Sequence, residues 1–228
     1  MRLTQQRHFV SVFAFLVAFI FSTIYFYPLP GAEAAGYATV DEGHYLGKPD
    51  IVYPIIVTDN ATADGIINRQ IRAEVAGFVQ AVEREFGTDG TIVALGVQYE
   101  IACNNPGLLS IILTEHELLK DAAHPLGARR TLNFNSETGV RLTVESLSEI
   151  AKYDANGESG YSPSALTRKL RAKAERENIT LYGDFQQLNK TPENFYFDEN
   201  LHVHFIFQEY EVAPYVAGFI DLDADAEI

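Results

Sequence analysis

Residues 194–218 constrain the fold more than any other part of the chain. Phe195 and Phe197 alternate with Tyr196, and Asp198-Glu199-Asn200 then supplies turn chemistry. Leu201, Val203, Phe205 and Phe207 follow in alternation with His202, His204 and Ile206. A period of two, carried by aromatic and β-branched types, predicts a β-hairpin. Pro214 has no backbone N–H, so a strand reaching it must end or run along an edge. The stretch specifies a core strand and a rigid corner, and it displays no catalytic constellation.

The N-terminus belongs to targeting rather than to the fold. Arg2 and Arg7 precede an almost wholly apolar run over residues 9–27, and Pro28, Pro30 and Gly31 break any helix before Ala32-Glu33-Ala34. This layout predicts a secretory signal peptide over residues 1–34, cleaved after Ala34. The alternative is an uncleaved anchor, since a run of this length just spans a bilayer, and only then is a membrane a partner. Either way the positive residues lie before the apolar run, so the bulk of the chain is expected to be extracytoplasmic: secreted, periplasmic or on the cell surface.

Removing residues 1–34 takes Arg2, Arg7 and Glu33 from the 17 basic and 31 acidic residues, leaving 15 and 30 and a net charge of −15. Such a field argues against nucleic acid and favours a cationic protein or divalent cations, while also serving solubility. Cys103 is the only cysteine, so no intramolecular disulfide forms; its alternation with Ile101 and Tyr99 predicts a buried, inert thiol.

Residues 35–50 show little periodicity and read as a leader into the fold. Residues 51–57 read as a short strand whose Pro54 marks an edge. Ile67, Ile71, Val75, Phe78, Val82 and Phe86 recur at spacings of three and four between several N-caps over 60–64 and Gly87, which predicts an amphipathic helix. Val97 to Cys103 and Leu109 to Leu113 alternate about Asn104-Asn105-Pro106-Gly107, a second hairpin. Ser162-Pro163 caps a second helix ending near Asn178, whose Arg168, Lys169, Arg171, Lys173 and Arg176 form a basic, solvated face. The acidic tail is expected to fray beyond Leu222. The fold expected is α+β: antiparallel hairpins forming one sheet with two amphipathic helices packed on it, divided near residue 120 into halves 35–120 and 121–228.

Two motifs carry a resemblance. The Tyr-Glu-Val-Ala-Pro-Tyr-x-Ala-Gly corner over 210–218 is similar to the C-terminal signature of a bacterial extracytoplasmic family of unknown function. That family resembles the ectodomain of the lysozyme-sensing anti-sigma factor and the N-terminal domains of some peptidoglycan deacetylases. Upstream, Ala122-Ala123-His124-Pro125, Asn133-Phe134-Asn135 and Thr138-Gly139 before a Leu-rich helix over 142–150 resemble its second signature. Asp121 and Ala122 stand where the family has paired glycines, so the loop is expected to differ in shape. The resemblance implies binding residues His124, Pro125, Tyr210, Pro214 and Tyr215, no cofactor, and lysozyme or another cationic protein as partner.

No nucleophile elbow, P-loop, dinucleotide or metalloprotease pattern is present in the sequence. His202 and His204, two apart on one strand face, are the weak metal candidates, with His116, His124, Glu115 or Glu117 to complete a site; the blander alternative is a half-exposed pair on a solvent face. Glu115 and Glu117 are expected to point to water. The favoured function is an exported, non-enzymatic cell-envelope binding domain without a cytoplasmic sigma-binding part. The alternatives are a metal-dependent envelope hydrolase and a peptidoglycan-binding module using Tyr196, Tyr210 and Tyr215.

Overall fold

The computed structural model describes residues 36–87, 90–153, 155 and 157–226; the predicted signal segment lies outside them. The clearest sequence signal forms helix α1, Ala61–Phe86. Asn60 caps it, its side chain accepting from the Thr62 and Ala63 amides, and Gly87 closes it at φ 72°. Ile67, Ile71, Val75, Val79 and Val82 form its buried stripe, and none of them is more than 5% exposed.

That stripe packs on a six-stranded sheet in chain order: β1 (Thr39–Tyr45), β2 (Lys48–Val57), β3 (Ile92–Asn105), β4 (Leu108–Leu119), β5 (Leu126–Phe134) and β6 (Arg141–Leu142). The sheet is mixed rather than purely antiparallel. Helix α1 returns the chain so that β2 meets β3 in parallel, through Ile51 and Val97, while the other pairs are antiparallel. The leader expected over residues 35–50 is in fact β1. Its one buried residue is Gly43, which has no side chain, so it forms no apolar period, and its pairing with β2 defines it instead. In strand order β2 is interior, but Pro54 pairs only with Glu42 of β1, so its own position is a local edge, as expected. Past Ile51, β2 shows no register pairs with β3, so the proline breaks no ladder there.

Ile111 and Leu113 of β4 and Leu132 and Phe134 of β5 meet the α1 stripe. Residue 120 falls in the β4–β5 connection, and the two strands pair across it. The turn after β5 brings Gly139, at φ 73°, against α1: a Cβ there would lie 2.9 Å from the Ala63 carbonyl oxygen and from Ile66 Cβ. The Leu-rich helix expected over 142–150 is shorter, a 3-10 helix over Val144–Glu149.

The closing stretch forms a second sheet, an antiparallel meander of β7 (Phe195–Phe197), β8 (Val203–Phe207) and β9 (Ile220–Asp223). Helix α2, Pro163–Glu177, is capped by Ser162 and ends at left-handed Asn178. It covers one face of this sheet, with Leu166 and Leu170 among Phe195, Phe197, Phe205 and Phe207. The opposite face, through Tyr196 and Ile206, meets Ala102 and Ile112 on the far side of the first sheet. Each helix therefore has its own sheet, in four layers, in place of two helices on one.

A buried polar relay fixes the two sheets together. The Phe197 amide donates to Ser110 Oγ at 3.1 Å, Ser110 Oγ donates to Asn133 Oδ1 at 2.7 Å, and Asn133 Nδ2 donates to the Phe195 carbonyl at 2.7 Å. Every group in it finds a partner, as burial demands. The tail does not fray at Leu222: β9 pairs with β8, and the Asp225 carboxylate accepts from the Val203 amide at 2.9 Å.

Candidate functional site

From Leu126 to Thr131, before β6 joins at Asn133, β5 has no strand on its outer side among the described residues, and side chains from the second sheet satisfy that edge instead. Asn194 accepts from the Thr131 amide at 2.9 Å and donates to the Arg129 carbonyl at 2.9 Å. Gln208 accepts from the Arg129 amide at 2.9 Å and donates to the same carbonyl at 3.0 Å. Glu209 accepts from the Gly127 amide at 3.3 Å. These two amides and one carboxylate mimic a missing strand and cover an edge that would otherwise pair with another chain. They also bring the 120–125 loop beside the 208–217 corner.

The result gathers the residues singled out by the motifs. His124 stacks on Tyr215 with ring centroids 3.9 Å apart at 18°, and Tyr215 stacks on Tyr210 at 5.6 Å and 27°. Tyr210 Oη lies 3.2 Å from His124 Nε2, and His124 Nδ1 lies 2.9 Å from the Pro125 carbonyl. Pro214, exposed, starts the short 3-10 helix Tyr215–Ala217. Tyr210 is 49% exposed and Val216 94%, so the platform faces solvent. Two non-glycine residues here take left-handed backbone, Asp121 at φ 65° and Tyr210 at φ 63°. Asp tolerates that conformation, so the loop keeps a positive φ without the glycines. Tyr does not adopt it readily, and such local strain concentrates at functional positions. Arg129 adds a cation–π contact 4.9 Å from the Phe219 ring, which the sequence did not signal.

The histidine pair has a different role. His202 Nδ1 lies 3.1 Å from Asp223 and His204 Nδ1 lies 2.8 Å from Asp221, both on β9. His204 stacks on Tyr196 at 4.7 Å, and Tyr196 Oη donates to Asp221 at 2.5 Å. His204 Nε2 is buried with no hydrogen-bond partner, its nearest carboxylate being Asp198 at 3.7 Å. Burial of the ring opposes its charge, yet the hydrogen bond and charge of Asp221, backed by Asp223 and Asp198, outweigh it and lift the imidazole above its ordinary value. Asp221 and Asp223 are held below the usual carboxylate range, the opposing cost of burial being exceeded by their bonds to the histidines. Among the described residues no group of three or more His, Cys, Asp or Glu is placed to hold a metal ion. The half-exposed reading holds for one member of the pair: the His202 side chain is 44% exposed, whereas that of His204 is 17% exposed.

Glu115 does not point to water. It continues the inward positions of Ile111 and Leu113, and its ion-pair partner is Arg130, with Nε 3.5 Å away. Desolvation pushes its carboxyl up to about 7 against the pull of Arg130. Tyr196 is buried and bonded to Asp221, which removes it from any glycan-binding surface. The basic face of α2 is partly engaged: Lys173 pairs with Glu177 at 2.8 Å, and Arg171 donates to the Phe185 and Gln186 carbonyls.

Residues 145–223 match the model of a family described as a protein of unknown function, DUF3298. The matched stretch runs from the 3-10 helix after β6 to β9 and includes Tyr210, Pro214 and Tyr215, but not His124. A crystal structure of a DUF3298 family protein from Pseudomonas aeruginosa is similar in fold, at TM-score 0.51 and 15% identity over 87% of this chain and 91% of that one. A member of the same family from Bacteroides fragilis aligns at TM-score 0.48 and 15% identity, covering 83% and 90%. No curated protein matches the chain. At these identities the likeness concerns the fold alone.

Proposed function

We propose that this chain is an exported, non-enzymatic binding domain of the cell envelope, and that its contact surface is the His124–Tyr215–Tyr210 platform. The observation that carries the reading is the solvent-facing stack itself: three rings from segments some ninety positions apart, held by backbone and amide contacts, with Tyr210 strained. Large, rigid rings with polar tips give contact area at low entropic cost, which is why tyrosines anchor protein interfaces. The flanking sequence is acidic, with Glu209 and Glu211 on either side of Tyr210 and Asp121 three positions before His124, which suits a cationic partner. The resemblance of the 122–139 and 210–218 motifs to the lysozyme-binding ectodomain points to lysozyme as that partner. Export rests on the layout of residues 1–34; no helix among the described residues is long and apolar enough to cross a membrane.

The test is Tyr215→Ala and Tyr210→Ala in a binding assay with lysozyme. Loss of an interface anchor weakens binding by at least about tenfold, while the melting temperature stays near that of the wild type. Undiminished binding by both variants would remove the platform from the interface.

A further inference from the structure

A cavity of about 650 Å³ opens where the two sheets and the 3-10 helix meet. Its apolar wall is formed by Leu108 of β4, Leu142 of β6, Leu147 of the 3-10 helix, and Phe195 and Phe197 of β7. That volume falls within the range of small-molecule sites, about 300–1,000 Å³. The polar groups of the lining nearest the core are already satisfied. Tyr161 Oη donates to both Asp225 oxygens at 3.1 and 3.0 Å, and Asp225 also accepts from the Val203 amide at 2.9 Å. What the cavity offers an occupant is therefore mainly hydrocarbon contact.

The exposed part of the lining has the same character. Leu201, 54% exposed, and Ile150, 53% exposed, present apolar side chains to solvent at this cavity. Leu201 does so from φ 66°, a backbone state that a branched side chain seldom takes. Asp198 imposes it: its carbonyl accepts from the Leu201 amide at 3.0 Å, and its carboxylate accepts from the Asn200 and His202 amides at 2.9 and 2.8 Å. The turn thus holds a leucine in solvent at the mouth of an apolar cavity, where an apolar ligand would cover it. Lys152, exposed, is the one Lys or Arg in the lining, which also holds Glu149, Asp225 and His202.

We propose that this cavity binds a single-chain amphiphile, its hydrocarbon chain between β7 and the 3-10 helix and its carboxylate at Lys152. The site shares no residue with the aromatic platform, so it stands or falls independently of the binding function proposed above. The experiment is calorimetric titration of the purified protein with decanoate, with 1-decanol and with phosphatidylcholine vesicles. Decanoate should bind one to one. Leu201→Asn, which suits the left-handed backbone, should weaken it at least about fivefold by removing apolar contact and leave the melting temperature unchanged. Lys152→Gln should weaken decanoate but not 1-decanol. No binding of free decanoate, equal binding by Leu201→Asn, or capture by vesicles alone would each overturn the proposal.

Discussion

Replacing Glu115 by Gln should make the protein more stable at pH 8 than the wild type, although it deletes an ion pair. The side chain is 4% exposed and Arg130, its partner at 3.5 Å, is 55% exposed, so the pairing is poorly shielded from water while the burial is nearly complete. Burial, with Glu74 and Glu117 adding like charge, raises the carboxyl from 4.5 to about 7. The folded state thus holds a proton that the unfolded chain releases. The stability this group contributes is full below pH 4.5 and is lost as pH rises through about 7. At roughly 1.4 kcal/mol per unit, the loss between pH 5 and pH 8 is about 2–3 kcal/mol. Gln keeps the shape and cannot ionise, so it escapes this loss. Urea denaturation of both proteins at pH 5 and pH 8 isolates the effect, because titrating groups that do not interact with position 115 cancel in the difference. The advantage of the variant should grow by about 2–3 kcal/mol from the lower pH to the higher. A difference that stays flat, or that shifts toward the wild type, would refute the reasoning.

Asp221→Asn should cost about 1–2 kcal/mol at pH 5.5 by removing the negative charge and one of the two acceptor oxygens that serve His204 and Tyr196. Because the His204 pKa is raised, that contribution is present below pH 6.5 and fades as pH rises through the folded value, so the deficit measured by urea melts should be smaller at pH 8.5. Gly139→Ala should destabilise by about 1–3 kcal/mol, since the added Cβ meets α1 at 2.9 Å on a backbone at φ 73°; calorimetric melting gives the value. Cys103, fully buried and with its thiol pushed up mainly by that burial, should resist maleimide in native buffer and react on unfolding, as mass spectrometry would record.

Much of this architecture could be read from the sequence wherever spacing and caps agreed. Helix α1 announced itself through Ile67, Ile71 and Val75 between Asn60 and Gly87, and helix α2 through Ser162-Pro163 and Asn178. Where charge and period disagreed, charge misled. Glu115 sits in register with Ile111 and Leu113, and that alternation placed it inward although its charge suggested water. Asp221 and Asp223 likewise alternate with Leu222 and Ala224, both 3% exposed, so the acidic tail carried a strand signal that its charge concealed. Strand β1 gave no such signal, because its partner and not its own burial defines it. The separation into two sheets was beyond reach as well, since it depends on which strands pair across long intervals, as in the relay from Ser110 to Phe195. The motifs brought His124, Tyr210 and Tyr215 into view, but the amide contacts of Asn194 and Gln208 that hold them together became apparent only in three dimensions.

The central claim, a shaped protein-binding surface at the aromatic platform, is tested most directly by calorimetric titration of the purified protein with lysozyme at low and high salt. The account predicts a defined stoichiometry, most of the affinity retained at high salt, and loss in Tyr215→Ala. No binding, binding abolished by salt, or equal binding of an unrelated basic protein would contradict it.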